Sequence, residues 1–197
     1  MTFKLGLTGS IGMGKSTTAQ MFVDEGCALW DADAAVHQLY AAGGAAVAPI
    51  STCFPSVMVD QAISRQRLKD IISVDPKILK KIENIVHPLV TKDRELFLQS
   101  VVEDIAVLDI PLLFETGNSD HMDAIACVSI PIETQRTRVL ERKTMTEEQF
   151  EQISEKQIAN DHKCALSDYV IVTDTLDHAR AQVKSVVADI REKLFHA

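Results

Sequence analysis

The sequence contains no apolar run close to the roughly 20 residues that a helix needs to cross a bilayer. Its first residues lack the long apolar segment and the small-residue cleavage site of a secretory signal. The cysteines at positions 27, 53, 127 and 164 form no Cys-x-x-Cys pair and have no histidine at metal-ligand spacing. We therefore expect reduced thiols, a cytoplasmic location and no membrane partner.

Positive charge is also scarce. The chain has 20 Lys and Arg residues and 28 Asp and Glu residues, which gives a net charge of −8. An acidic chain has little general attraction for nucleic acid or for anionic membranes, so we expect no nucleic-acid partner. A phosphorylated ligand would have to be held by a local positive site. With 46% hydrophobic residues the chain can form a proper core, and we expect a monomer or a weak homo-oligomer.

Short apolar runs alternate with helical patterns along the chain. The runs predict strands near residues 3–8, 27–30, 105–110, 124–130 and 169–172. Helical spacing covers residues 15–25, 133–163 and 177–194, together with a long stretch at 32–102 that we expect to break at Gly43-Gly44, Pro55, Asp75-Pro76 and His87-Pro88. This alternation predicts an α/β fold with a parallel sheet, whose ligands bind beyond the carboxyl ends of the strands.

Residues 9–16 match the Walker A pattern G-x-x-x-x-G-K-[ST], between a predicted strand and a predicted helix. Its glycines allow backbone amides to turn inward onto phosphate oxygens, and the helix N-terminus adds a positive dipole end. Lys15 should reach the β- and γ-phosphates and Ser16 should ligate Mg²⁺. The alternative is a glycine-rich turn with a chance lysine. The predicted ATP-binding residues of this loop are Gly9, Gly12, Met13, Gly14, Lys15, Ser16 and Thr17.

Carboxylates follow two of the predicted strands. Asp31 and Asp33 lie one residue apart after the second strand, which suits a magnesium or water contact and an acceptor-hydroxyl base. Either could instead cap the following helix. Asp109 ends the third strand at a position that resembles Walker B and would orient Mg²⁺, unless loop amides satisfy it.

Arginines on one predicted helical face indicate a lid. Gln135, Arg138 and Arg142 have spacings of three and four, whereas Arg136 lies on another face. Thr146 and Gln149 fit a capping box that would start a second helix. Such a helical pair could close over the transferring phosphate, or it could be a solvated hairpin in which glutamates pair with the bases.

These residues resemble one family, dephospho-coenzyme A kinase, over about 170 residues in order. The similarity covers residues 7–17, Asp31-Ala32-Asp33, Arg65 with Leu68, His87-Pro88, residues 109–115, Gln135 with Arg138 and Arg142, and then Gln157, Lys163 and Asp168. A Walker loop is common to thousands of proteins, but the Asp-Ala-Asp, His-Pro and Asp-Ile-Pro-Leu-Leu segments in this order are specific.

The resemblance implies a P-loop NTPase of the nucleoside-monophosphate-kinase type that uses ATP and Mg²⁺ to phosphorylate the 3′-hydroxyl of dephospho-coenzyme A. It implies a core at 1–31, 103–135 and 164–197, a helical acceptor-binding insertion at 32–102 and a lid at 136–163. The implied catalytic residues are Lys15, Asp33 as the base and Arg142 as the lid arginine. Arg138 would bind ATP, Asp33, Arg65 and His87 would bind the acceptor, and Ser16, Asp31 and Asp109 would serve the metal.

Three positions depart from the family pattern. His37 stands where arginine is frequent, and Gln61 replaces a common glycine in a turn. Residues 172–175, Val-Thr-Asp-Thr, replace an Asn-x-Gly turn near the adenine, although Thr and Asp can support a turn with their side chains.

Other functions of the same loop remain open from the residues alone. One alternative is a kinase that acts on a nucleoside monophosphate or a sugar acid, and a GTPase switch or a nucleotide sensor would also carry a Walker loop. The guanine-reading motif Asn-Lys-x-Asp is absent, and the most similar segment is residues 91–94, Thr-Lys-Asp-Arg. A sensor has no need of an acceptor base.

Overall fold

A five-stranded sheet lies at the centre of the larger of two compact units, which comprises the chain up to Trp30 and from Val101 onward. The computed structural model describes residues 2–141 and 146–196. The strands of the sheet are β1 (Phe3–Thr8), β2 (Ala28–Asp31), β5 (Ile105–Asp109), β6 (Ala124–Ser129) and β7 (Tyr169–Val172). Their order across the sheet is β2-β5-β1-β6-β7.

The central strand β1 pairs in parallel with β5 on one side and with β6 on the other. The register places Leu7 opposite Asp109 and Thr8 opposite Cys127. All five residues of β5 are buried, as expected for a parallel strand covered on both faces. Because parallel strands end at the same edge, Asp109 lies beside the start of the loop that follows β1.

The described residues of this unit form five α-helices: α1 (Lys15–Asp24), α6 (Ile132–Glu141), α7 (Glu147–Lys156), α8 (Asn160–Ala165) and α9 (Leu176–His196). The apolar faces of α1 and α9 pack with the strands into one core. Phe22 of α1, Val183 and Ile190 of α9 and Leu5 of β1 are fully buried there. No helix within residues 2–141 and 146–196 is both long and apolar enough to cross a membrane.

The smaller unit, residues 31–100, has a separate hydrophobic core. It contains α2 (Ala32–Tyr40), α3 (Val47–Cys53), the hairpin of β3 (Met58–Val59) and β4 (Ala62–Ile63), α4 (Arg65–Val74) and α5 (Lys77–Ser100). The buried residues of this core are Leu39, Tyr40, Ala46, Ile50, Val57, Ile63, Leu68, Ile82 and Val86.

The expected helix break at His87-Pro88 is wrong, since α5 continues through Pro88. A proline inside a helix removes one backbone hydrogen bond. Here Ile82 and Val86 are buried before the proline, and Leu89 and Val90 pack against the same core after it. Burial along one face therefore outweighs the lost bond. The break at Asp75-Pro76 is confirmed, because α4 ends at Val74 and α5 begins at Lys77.

Candidate active site

The loop between β1 and α1 has the backbone of a phosphate-binding loop. Gly12 and Gly14 have φ angles of 78° and 88°, in the left-handed region that costs other residues about 1–2 kcal/mol. A Cβ on Gly12 would lie 2.4 Å from Cγ2 of Val139. Gly14 caps α1 without a side chain, which leaves the first-turn amides to an anionic ligand. Ser16 and Thr17 are exposed in that turn, whereas the Met13 side chain is buried, so Met13 can offer a phosphate only its backbone.

Lys15, the first residue of α1, forms an ion pair with Asp109 at the end of β5. The Asp109 side chain is 2% exposed and that of Lys15 is 16% exposed. The strand register explains this contact, because Asp109 lies opposite Leu7, just before the loop. A nearly buried carboxylate thus holds the Walker lysine at the predicted nucleotide site, and water screens this pair less than a surface pair.

Three amide side chains bond the backbone of Ser10 and Ile11, and we call them the amide clamp. Gln135 Nε2 donates to Ile11 O at 2.7 Å, and Ile11 N donates to Gln157 Oε1 at 3.4 Å. Ser10 N donates to Asn160 Oδ1 at 3.1 Å. Gln135 was predicted to share a face with Arg138, but sequence reasoning missed Asn160, since an asparagine at a helix start is usually interpreted as a cap.

Arg138 fixes the segment after β7 beside the phosphate loop. Its guanidinium donates to Thr173 O at 2.9 Å and to Asp174 O at 3.3 Å. Thr173 Oγ1 in turn donates to Met13 O at 2.7 Å. Asp174 Oδ1 accepts from Thr175 N at 2.7 Å, so this turn is supported by side chains as expected. A cavity of about 210 Å³ lies here, lined by Gly14, Thr17, Thr18, Met21, Arg138, Thr173, Asp174, Thr175, Leu176 and Ala179.

A buried ion pair joins α8 to the segment that follows β5. Lys163 is fully buried, and its Nζ lies 2.7 Å from Glu115 Oε1 and 3.2 Å from Pro111 O. Ile158 N donates to the same Glu115 oxygen at 3.0 Å. Removing either partner would leave an uncompensated buried charge, so the pair fixes residues 111–115 against α8. The sequence marked both residues as motif positions without giving them a role.

The predicted acceptor residues lie in the smaller unit. Asp31 caps α2, since its Oδ1 accepts from Asp33 N at 2.8 Å and from Ala34 N at 3.0 Å. Asp33 is exposed in the first turn of α2, and Arg65 Nη2 donates to its carbonyl oxygen at 3.4 Å. The structure therefore brings together two residues that were predicted from separate motifs. His87 is exposed on α5.

The predicted lid is described in part. Arg142, the predicted lid arginine, lies outside the described residues. The capping box of Thr146 and Gln149 is confirmed at the start of α7. Arg136 forms an ion pair with Glu147, which matches the alternative in which glutamates of the hairpin pair with its bases.

Comparison with known proteins decides the family. A family model described as dephospho-CoA kinase matches residues 3–178. The chain belongs to this family. It is 68% identical to dephospho-CoA kinase of Ruegeria pomeroyi over the whole of both chains. It is 50% identical to dephospho-CoA kinase of Cereibacter sphaeroides, with 96% of each chain covered.

Solved structures confirm the fold. The crystal structure of TT1252 from Thermus thermophilus superposes with a TM-score of 0.85 at 27% identity, covering 95% of this chain and 97% of that one. Shikimate kinase from Acinetobacter baumannii has a TM-score of 0.55 at 16% identity, with 98% and 95% covered, and shows the fold alone. The predicted α/β P-loop kinase fold, the family and the enzyme class, an ATP-dependent phosphotransferase with an alcohol acceptor, are confirmed.

Proposed function

We propose that this chain transfers the γ-phosphoryl group of ATP to the 3′-hydroxyl of dephospho-coenzyme A, giving coenzyme A and ADP. The observation that carries the proposal is the prearranged phosphate loop, with Lys15 against Asp109 and residues 10–11 held by the amide clamp. Fixed donors of this kind stabilise developing charge without reorganising during the reaction. The acceptor follows from the family, whose name the relatives at 68% and 50% identity carry.

The phosphates would be held by loop amides from Gly9 to Thr17, with Lys15 on the β- and γ-phosphates. Transfer breaks the bond between the γ-phosphorus and the bridging oxygen and forms one to the acceptor oxygen. Negative charge grows on the leaving phosphate, and Lys15 is the cation placed to balance it. Arg142 is proposed as a second cation, delivered by the lid.

Magnesium would be served by oxygen donors on α1 and at the ends of β2 and β5. Among the described residues there is no cluster of three or more His, Cys, Asp or Glu side chains that would form a protein cage for a metal. Mg²⁺ in kinases is typically held by one or two protein oxygens, substrate phosphates and water. We propose Ser16 as the hydroxyl ligand, with Asp109 and Asp31 orienting the metal's waters. When bound, the ion would neutralise charge on the β- and γ-phosphates.

The cavity of about 210 Å³ beside Thr173 is proposed to take the nucleobase of ATP. It adjoins Gly14 and Thr17, so it lies next to the phosphate loop. Arg138 lines it and would assist ATP binding partly by fixing residues 173–174, since its guanidinium already donates to both carbonyls. The backbone of this turn would then contact the base in place of an Asn-x-Gly turn.

The smaller unit, residues 31–100, is proposed to bind the acceptor, and residues 136–163 to form the lid. Asp33 would accept the proton of the 3′-hydroxyl as that oxygen attacks. Arg65 holds the Asp33 backbone and would position the carboxylate, while His87 would contact the acceptor. We further propose a cytoplasmic monomer or weak homo-oligomer without nucleic-acid or membrane partners, in keeping with the net charge of −8.

A coupled assay that follows ADP release with ATP, Mg²⁺ and a panel of acceptors tests the proposal. We expect turnover with dephospho-coenzyme A and none with AMP or gluconate.

Lys15→Ala should lower kcat by about 10²–10³, as expected for one lost donor to developing charge. Asp33→Asn should lower kcat by about 10²–10⁴ while ATP binding is retained.

Two exposed residues of the smaller unit provide matched controls. Lys80→Ala and Asp70→Asn make the same chemical changes at exposed helical positions and should retain normal turnover. Equal rates with all acceptors, or unchanged turnover in both Lys15→Ala and Asp33→Asn, would contradict the proposal.

A further inference from the structure

Two cysteines that are distant in sequence meet next to the phosphate loop. The Sγ atoms of Cys127 on β6 and Cys164 on α8 lie 3.6 Å apart. Cys127 is fully buried and lies opposite Thr8, the residue before the loop, whereas Cys164 is partly exposed. A disulfide needs a sulfur–sulfur distance of about 2.05 Å, so a modest approach of α8 to the sheet would allow the bond.

Asn160 connects this thiol pair to the phosphate loop. Its Nδ2 donates to Cys164 Sγ at 3.5 Å and to Val128 O at 3.2 Å. Its Oδ1 accepts from Ser10 N at 3.1 Å and lies 4.0 Å from Cys127 Sγ. A single amide group thus contacts both sulfurs and a loop amide, so closing the sulfurs to bonding distance would disturb the contacts of the group that holds Ser10.

We propose that Cys127 and Cys164 are an oxidisable thiol pair, and that the disulfide between them weakens ATP binding by displacing Asn160 from Ser10. The effect on catalysis rests on the proposed function, because it assumes that ATP binds at this loop. The formation of the disulfide does not depend on that function.

Hydrogen peroxide is a sufficient oxidant for this step. The partly exposed Cys164 sulfur attacks a peroxide oxygen, forming a sulfenic acid and releasing one water. Cys127 sulfur then attacks Cys164 sulfur, the S–S bond forms, and the hydroxyl of the sulfenic acid leaves with the Cys127 proton as a second water. The two thiols lose two electrons and the peroxide gains them. Burial raises the pKa of the Cys127 thiol, which fits Cys164 as the first residue to react.

The other two cysteines are separate from this pair. Cys27 is buried, and desolvation raises the pKa of its thiol to about 11, so it is a poor nucleophile. Cys53 is exposed in the smaller unit and would react with peroxide independently. Cys53→Ser therefore provides the background in which the pair can be studied alone.

The test treats Cys53→Ser enzyme with peroxide and maps disulfides by mass spectrometry of unreduced peptides. We expect a cross-linked peptide containing Cys127 and Cys164, ATP binding weakened about fivefold, which corresponds to one lost hydrogen bond, and recovery with dithiothreitol. The same enzyme with Cys164→Ser added should form no cross-link and keep its ATP affinity in peroxide.

Three results would overturn the inference: no cross-linked peptide, a cross-link with unchanged ATP affinity, or an equal loss of affinity in the Cys164→Ser enzyme. Mapping and ATP titration need no acceptor. Inactivity of the reduced enzyme with dephospho-coenzyme A would therefore count against the proposed function and not against the thiol pair.

Discussion

Gln61 has a backbone conformation that glycine adopts at lower energetic cost. Asp60 and Gln61 connect β3 to β4, with φ angles of 48° and 64°. Positive φ at both central residues is the requirement of a type I′ hairpin turn, where glycine is favoured at the second position. The sequence identified Gln61 as a replacement for glycine, and the structure gives the physical consequence, a strained residue in a two-residue turn.

Gln61→Gly should therefore stabilise the protein. Relief of left-handed strain is worth about 1–2 kcal/mol and is partly offset by the greater freedom of glycine in the unfolded chain, so we expect a gain of up to about 1 kcal/mol. Chemical denaturation of both proteins measures it. Asp60→Gly is the matched control, with a smaller expected gain because aspartate tolerates this region better. If Gln61→Gly made the protein less stable, the Gln61 side chain would contribute more to stability than the backbone strain costs.

Single residues were predictable where a motif imposes a backbone or charge requirement. Gly12, Gly14 and Lys15 are such cases, since a phosphate loop needs left-handed angles and a cation. Asp31 could be interpreted as a cap or as a metal contact. Its two amide bonds show the cap, and because both use Oδ1, the metal contact stays a prediction. Asn160 could not be found, because its partner Ser10 is near the other end of the chain.

The helices around the predicted lid are connected directly to the phosphate loop. Gln135 on α6 and Gln157 just after α7 form hydrogen bonds with the backbone of Ile11, and Asn160 on α8 accepts one from Ser10 N. Gln135 directly precedes the predicted lid at 136–163, and Gln157 and Asn160 lie within it, so a movement of the lid would displace side chains that hold the loop. Through the amide clamp, the predicted closure of the lid would change the geometry of the phosphate loop.

Replacing residues of the amide clamp should raise KM for ATP more than KM for the acceptor. For Gln135→Ala and Gln157→Ala we expect KM for ATP to rise about fivefold each, equivalent to roughly one hydrogen bond, with little change in KM for dephospho-coenzyme A. The double variant should show less than the summed effect, because both side chains hold the same residue. Steady-state kinetics with each substrate varied in turn gives both constants. Glu155→Ala, an exposed change on α7, is the control, and parallel changes in both KM values would contradict the prediction.

Helices and strands were predictable from periodicity where one hydrophobic face continues. All five strands of the sheet lie where apolar runs predicted them. The β3–β4 hairpin was missed, because two strands of two residues each give too short an alternation to recognise. The error at Pro88 arose because a local breaker was given more weight than the long apolar face of α5.

An ion pair between Arg191 on the last helix, α9, and Asp104, just before β5, helps to stabilise the larger unit. Arg191 on α9 donates two hydrogen bonds to Asp104, at 2.7 and 3.2 Å, and a third to Glu25 O at 3.3 Å. The hydrogen bonds from Arg191 hold the pKa of Asp104 below its ordinary value of 3.8. One side chain thus joins three separate segments of the chain, although each partner is about 43% exposed and water screens the pair.

Acid should remove the contribution of the Arg191–Asp104 ion pair to the stability of the fold. Because the folded-state pKa of Asp104 is lowered, its stabilising effect is present above pH 3.8 and is lost as the pH falls through the lower folded value. Asp104→Asn should cost about 0.2–1 kcal/mol at pH 7, within the range for exposed pairs, and the difference from wild type should shrink below about pH 4. Urea denaturation across this pH range measures both values.

Asp24→Asn is the matched control. Asp24 accepts one hydrogen bond from Arg180, at 3.1 Å, and one from the neutral Gln20, so its loss should cost less at pH 7. A difference between Asp104→Asn and wild type that stays constant down to pH 3 would rule out a pKa-linked contribution.

The strands β2 and β5 are neighbours in the sheet, yet residues 32–104 separate them along the chain. During synthesis on the ribosome, β1 and β2 emerge long before the strand that must be inserted between them. Closing so long a loop has an entropic cost. That cost is smaller if the intervening segment has already folded around its own core, which includes Ile50 and Ile82. Early folding of that segment would therefore speed assembly of the nucleotide sheet, so a mutation that weakens only the inserted core would also slow the maturation of the enzyme.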